Sequence, residues 1–199
     1  SEQARLDVAD GAANYVSRAA LKLVHGLQHF GISSQGRICL DLGASTGGFT
    51  QVLLDGGASH VTAIDVGHGQ MVPTLSADPR VTLREGVNAR ALTAADMPQG
   101  LSLVVCDVSF ISLKLALPPV LSHAPAGTAL IALIKPQFEV GREGLGKGGV
   151  VREQSQHDAV CADIVAFLEG AGWAVQGVVA SPLEGGDGNR EFLIAARKG

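Results

Sequence analysis

Aromatic residues are scarce in this chain, with one Trp, one Tyr and six Phe among 199 residues. Val, Ile, Leu and Ala must therefore fill its core. Cysteine is scarce too. Cys39, Cys106 and Cys161 lie far apart, form no CxxC pair, and each sits in an apolar run. That pattern excludes a disulfide framework and reads as small buried hydrophobes in a reducing cytoplasm. No Cys/His spacing suits zinc, so no metal is expected. No apolar stretch reaches the roughly 18 residues of a membrane span, so no membrane insertion is expected. No signal peptide opens the chain, and the absence of a first Met reads as a fragment. Charged residues are only 17%, but hydrophobic residues are 46%, enough for a sizeable core and too many for a disordered chain. The formal charge of −4 argues against nucleic acid as a partner for the surface as a whole. The 26 glycines have no period, which excludes collagen.

What is present is an alternation of short apolar runs with helical patterns. Residues 1–14 show no periodicity and read as a linker remnant. In YVSRAALKLVHGLQHFGI, Val16, Ala20, Leu23, Leu27 and Phe30 follow the helical period. Arg18, Lys22, His25 and His29 form a basic stripe opposite them. Strands are expected at RICLDLG, HVTAIDV, RVTLREG, LSLVVCDVSF, GTALIALIKP, WAVQGVVASPL and REFLIAARK. Helices are expected at TGGFTQVLLDGG, at ISLKLALPPVL (ended by its prolines) and at SQHDAVCADIVAFLEGAGW, with Ser155 as N-cap. Apolar strands alternating with helices predict an α/β fold with a mostly parallel sheet covered on both faces. The last two strands lack an intervening helix and should pair antiparallel. One domain over residues 15–199 is expected.

ICLDLGASTGGFT places Asp41, Gly43, Gly47 and Gly48 at a strand-to-helix junction, where ligands of wound sheets bind. The spacing is not the dinucleotide fingerprint. An Asp before the turn repels a pyrophosphate and suits an amino-bearing ligand. The next strand ends in Asp65, which can accept both hydroxyls of a ribose. An amino-acid-like group beside an adenosine ribose describes S-adenosylmethionine. Ser45, Thr46 and Phe49 share the turn, and Asn88, after the third strand, is a candidate adenine contact. The turn also satisfies G-x-S-x-G, so a serine hydrolase using Ser45 is an alternative. It would need a late His, for which His157 is the candidate.

Asp107 and Lys135 end two buried strands, positions where an ionised side chain is seldom left without a reason. Lys22 comes from the basic helix, and Glu191 opens the last strand. Two lysines and two carboxylates converging on one crevice can hold a lysine poised to take a proton from a hydroxyl. A base nitrogen is usually served by an N/D-P-P-Y/F loop after the fourth strand. Here that place reads DVSF, so the chemistry leans toward oxygen methylation.

YVSRAALKL, DLGASTGGFT, CDVSFISL, IKPQFEVGREGLGKGGVVR and GNREFLI together resemble the TlyA (hemolysin A) family of FtsJ-like RNA 2′-O-methyltransferases, over residues 15–197. The resemblance implies a Rossmann-like class I methyltransferase fold and a K-D-K-E tetrad, here Lys22, Asp107, Lys135 and Glu191. It also implies cytidine 2′-O-methylation in ribosomal RNA, and an S4-type RNA-binding domain preceding the basic helix in the full-length protein. A non-catalytic RNA-binding module that kept the fold is the other alternative.

The run FEVGREGLGKGGVVR holds five glycines from Gly141 to Gly149, with Arg142, Lys147 and Arg152 among them. It reads as a mobile lid whose cations meet RNA phosphates, on a surface continued by Arg18, His25 and His29. Neutralising Arg142 and Lys147 together is expected to weaken RNA binding and flatten its salt dependence. Unchanged affinity in the double variant, read by titration at several salt concentrations, overturns the lid reading.

Overall fold

Seven strands pair in the order β3-β2-β1-β4-β5-β7-β6. They are β1 (Ile38–Leu42), β2 (His60–Asp65), β3 (Val81–Glu85), β4 (Leu101–Cys106), β5 (Ala129–Ile134), β6 (Trp173–Ala180) and β7 (Phe192–Lys198). The computed structural model describes residues 14–199, so the expected linker lies outside the described residues except for Asn14. Neighbours from β3 to β5 are parallel, and β7 runs antiparallel to both β5 and β6. This is the expected mixed sheet.

Side chains alternate across a strand, so each strand feeds two cores. Leu40, Leu42, Val104, Cys106, Leu130, Ala132 and Ile134 pack on one face. Cys39, Val61, Ala63, Leu103, Val105, Ile131 and Leu133 pack on the other. The second face is covered by α1 (Ala19–Phe30), α2 (Gly48–Asp55) and the short α3 (Pro73–Ser76). Gly26 of α1 fits closely against the sheet, where a Cβ would stand 3.4 Å from Ile131 and 3.5 Å from Leu193. The first face is covered by α4 (Leu113–Ala116), α5 (Pro118–His123) and α6 (Gln154–Gly170). Among the described residues no helix is long and apolar enough to cross a membrane. Burial pushes the Cys39 and Cys106 thiols up to about 12 and the Cys161 thiol up to about 11, so none is a ready nucleophile.

Three local expectations differ. The first helix starts at Ala19, with turns before it. Along its basic stripe Lys22 is buried, while Arg18 and His29 are exposed. The prolines do not end the fourth helical segment. Pro118 opens α5, because a first-turn proline lacks only an N–H that would have no partner there. Glu153, not Ser155, precedes α6, and it makes no side-chain cap.

Trp173 anchors the α6 side. It is 1% exposed and its Nε1–H donates to the Leu121 carbonyl at 3.1 Å. Trp173→Ala should cost about 3–5 kcal/mol. Urea unfolding followed by circular dichroism checks this, because the substitution removes the chain's one tryptophan.

Candidate active site

Strand parity carries the chemistry to one place. Cys39, Leu103, Val105, Ile131, Leu133, Leu193 and Ala195 all face the α1 side. Asp41, Asp107, Lys135 and Glu191 continue those odd-numbered sets at or just beyond the strand ends. They therefore point to the same face, and Asp65 does so after Val61 and Ala63. α1 adds Lys22 from above. Lys22 Nζ donates to Glu191 Oε2 at 2.8 Å, and both residues are buried. Lys135 Nζ lies 2.6 Å from Asp107 Oδ1 and donates to Ser109 Oγ at 2.9 Å. Ile134 pairs with Phe192, so Lys135 and Glu191 are the next positions outward on neighbouring strands. Two ion pairs of opposite polarity thus stand side by side at the end of β5.

A cleft of about 1230 Å³ opens beyond the strand ends. It follows the sheet order. Asp65 and Asn88 line its β2 and β3 end, Gly43 and Asp107 its middle, and Phe110, Gln137 and Phe138 its β5 end. A second cavity of about 130 Å³ is lined by Ser17, Thr46, Gly48 and Phe49 and shares Gly43, Ser45 and Asp107 with the first. Single-ligand pockets usually hold roughly 300–1,000 Å³, so the large cleft has room for more than one small molecule.

The first candidate set is only partly on this surface. Asp65 Oδ2 accepts the Ser45 N–H at 2.8 Å and Oδ1 accepts the Gly67 N–H at 2.8 Å, which fixes the carboxylate while leaving lone pairs. Asn88 lines the cleft, and its Oδ1 also accepts the Arg90 N–H at 3.0 Å, so it holds its own turn. The turn glycines answer to protein rather than ligand. A Cβ on Gly43 would collide with the Asp107 carbonyl; Gly47 packs on Leu75 and Gly48 on Ser17. Asp41 and Gly47 line neither cavity. Asp41 is fully buried, with Oδ2 accepting the Thr50 hydroxyl at 2.7 Å and Oδ1 without a partner. Parity explains it, since Asp41 faces α2. Burial is the main reason its carboxyl is pushed up to about 7; the Thr50 hydrogen bond opposes this, and Asp107 and Asp65 add to it.

Arg18, Arg142 and Lys147 are exposed, and Arg142 reaches the large cleft. The glycine run is strapped at both ends. Glu139 accepts from Ser112 Oγ at 2.6 Å and Leu113 N–H at 2.9 Å. Asn189 accepts the Val151 N–H at 2.9 Å and donates to the Gly149 carbonyl at 3.1 Å. The hydrolase alternative finds no triad among the described residues. Ser45 does sit at φ 50°, as an elbow nucleophile would, but the candidate histidine is engaged elsewhere. His157 Nε2 bonds the Val151 carbonyl at 3.0 Å, and its ring lies on Phe192. Sequence reasoning missed Ser109, Phe110 and Gln137. Phe110 carried a signal only in three dimensions: φ 62°, 90% exposure, and a ring 5.1 Å from that of Phe138.

A sheet of this order, with Asp65 and Asp107 beyond the ends of β2 and β4 lining a cleft, defines a Rossmann-like fold. The family model for FtsJ-like methyltransferase matches residues 15–198, and the chain belongs to that family. It is 46% identical over 190 residues to the 16S/23S rRNA (cytidine-2′-O)-methyltransferase TlyA of Mycobacterium tuberculosis, covering 96% of this chain and 71% of the relative. A solved structure from Streptococcus thermophilus, whose name carries the word hemolysin, is 46% identical with a TM-score of 0.89, over 93% of this chain and 67% of that one. A Listeria monocytogenes structure named for S-adenosylmethionine-dependent methyl transfer shares the fold at 13% identity and a TM-score of 0.68, over 91% and 98% of the two chains.

The Asp41 carboxyl has a pH consequence. Folded, it keeps its proton up to about pH 7; unfolded, it loses it near 3.8. The stability this raised value contributes is complete below the unfolded value and is lost as pH rises through the folded one. The melting temperature should therefore fall between about pH 4 and about pH 7, and fall less in Asp41→Asn. Parallel profiles for the two proteins would contradict it.

Proposed function

We propose that this chain transfers a methyl group from S-adenosylmethionine to a ribose 2′-hydroxyl of ribosomal RNA, at cytidine, in the cytoplasm. The observation that carries the reading is the double ion pair Lys22–Glu191 and Lys135–Asp107, which meets a cleft large enough for a cofactor and a nucleotide through Asp107; Lys22, Lys135 and Glu191 stand behind the residues that line it. The name of the Mycobacterium tuberculosis relative supports the substrate.

The residues present fit the cofactor. Asp65 keeps lone pairs toward the cleft for ribose hydroxyls, with Asn88 beside it. The first residues of α2, Gly48 and Phe49, line the small cavity, and a helix N-terminus suits a carboxylate. Ser45 and Thr46 complete that wall. Asp41, enclosed beneath the turn, supports it from below through Thr50. S-adenosylmethionine, when bound, supplies an electrophilic methyl group on a sulfonium sulfur.

Lys135, once it has passed a proton to Asp107 across their 2.6 Å contact, takes the proton of the attacking 2′-hydroxyl. Asp107 and the Ser109 hydroxyl aim its Nζ, which would otherwise swing on a four-carbon stem. Lys22 and Glu191 fix the ribose side of the crevice. Alignment of the nucleophile then supplies much of the rate. Phe110 and Phe138 offer ring faces on which an unstacked base can lie. Arg18, Arg142 and Lys147 take backbone phosphates, and a preceding S4-type domain in the full-length protein would add affinity.

Lys135→Ala should abolish transfer to ribosomal RNA and leave calorimetric cofactor affinity nearly intact. Methylation is read as resistance of the modified position to alkaline hydrolysis, which needs a free 2′-hydroxyl. Normal turnover in Lys135→Ala refutes the assignment of the base. No titratable binding of S-adenosylmethionine by the parent chain refutes the cofactor.

A further inference from the structure

We propose that the Ser109 hydroxyl is a catalytic relay, taking the proton of the ribose 2′-hydroxyl and handing its own to Lys135. The inference rests on the ribose-methylation reading above and adds to it the group through which the buried amine meets its substrate.

Lys135 is only 9% exposed and lines neither cavity. A nucleotide in the large cleft therefore meets the residues in front of the amine. Two cleft-lining residues touch it, Asp107 and Ser109. The Asp107 atom in contact with Lys135 is Oδ1, which is enclosed. Asp107 also holds the proton that Lys135 gives up, so it is already protonated when the substrate proton leaves. Ser109 is exposed, and its Oγ lies 2.9 Å from Lys135 Nζ. That oxygen accepts from the amine, and among the described residues its own O–H has no acceptor. A serine hydroxyl has one hydrogen to give and two lone pairs to receive with. The Lys135 bond uses one lone pair and leaves the others free for a ligand.

The step balances. With its proton passed to Asp107, Lys135 turns a nitrogen lone pair toward Ser109 Oγ. The Ser109 proton moves to Nζ, and the 2′-hydroxyl proton moves to Ser109 Oγ. The 2′-oxygen uses a lone pair to form its bond to the methyl carbon. The carbon–sulfur bond breaks, and its electron pair stays on sulfur as a neutral thioether. Ser109 ends as a hydroxyl, as it began. Lys135 ends as an ammonium, and Asp107 gives its proton to water. General-base catalysis works through one intervening water, and an intervening hydroxyl of fixed position serves the same purpose. Ser109 adds to such a water a covalent tether beside Phe110, which lines the same cleft.

The test is single-turnover methylation of ribosomal RNA transcripts with the protein in excess, beside titrations with S-adenosylmethionine and with RNA. Ser109→Ala should slow transfer by about a hundredfold and leave both affinities at the parent's values. Ser109→Thr keeps a hydroxyl at the same place and should restore most of the rate. Rates in mixtures of light and heavy water separate a relay from mere aiming of the amine. A relay moves two protons at once, so the parent's rate should fall along a curve as the heavy fraction rises. A straight line, or no isotope effect, overturns the proposal. So does a Ser109→Ala protein as fast as the parent, or a Ser109→Thr protein as slow as the Ala variant. A Ser109→Ala protein that loses RNA affinity but keeps its rate at saturating RNA makes Ser109 a substrate contact and overturns the relay too. Should Ser109→Ala fail to fold, the parent's isotope curve decides alone. A parent chain that binds S-adenosylmethionine but methylates no ribose defeats the underlying reading. A methylating parent with any of the overturning results defeats the relay alone.

Discussion

The two-residue period of the β-strand governs this molecule more than any single contact. In β1, β2, β4, β5 and β7 the odd-numbered side chains share one face. That face holds Val, Leu, Ile and Ala through the strand interiors and acid or lysine at the ends, at Asp41, Asp65, Asp107, Lys135 and Glu191. A single-residue slip in any strand would send its charged end into the opposite, mainly apolar core. The register that builds the core therefore also assembles the site. Three carboxylates on one side of a sheet repel one another, which contributes to holding Asp41 protonated well above the usual carboxylate range. Lys135 and Lys22 relieve the rest by pairing with Asp107 and Glu191.

The glycine turn after β1 is a device for approach between strands. With no Cβ on Gly43, the turn lies directly against the Asp107 backbone, and the tips of β1 and β4 close together. Gly43, Ser45 and Asp107 then form the divide between the small cavity and the large cleft, with surface on both. The protein-facing role of the glycines and the ligand-facing role of the turn are compatible, because tight apposition of two strand ends is what shapes the cleft. Beyond β5 the glycine run with its cations is tied down by Glu139 at one end and Asn189 at the other. Asn189 lies two residues before Glu191, so the exposed Arg142 and Lys147 are carried on a segment anchored next to the ion pairs.

Much of the fold was legible in the chain. Strong apolar runs located all seven strands, and the missing helix between the last two predicted their antiparallel pairing. Asp107 and Lys135 were legible as well, because a charge ending a buried run is conspicuous, and Lys22 and Glu191 were legible as the set they complete. What failed was local. Ser155 looked like an N-cap by residue type, but the cap position falls two residues earlier, at Glu153, and Ser155 lies in the first turn. Pro118 looked like a helix end and is a helix start. The basic stripe offered Lys22 to the crevice, but periodicity cannot show that it pairs with an acid 169 positions away.

The sequence by itself determined which side chains could share a face, since alternation and helical period are properties of the local backbone. It also determined which residue types, two lysines and their carboxylates, were available to the site. Only the tertiary structure decided the pairings: Lys22 with Glu191, Lys135 with Asp107, and Asp41 with Thr50 rather than with the cleft. It alone left Gln137 without a partner and turned Phe110 outward. Those outcomes depend on which strand ends become neighbours and which helix covers them, and no local pattern encodes either.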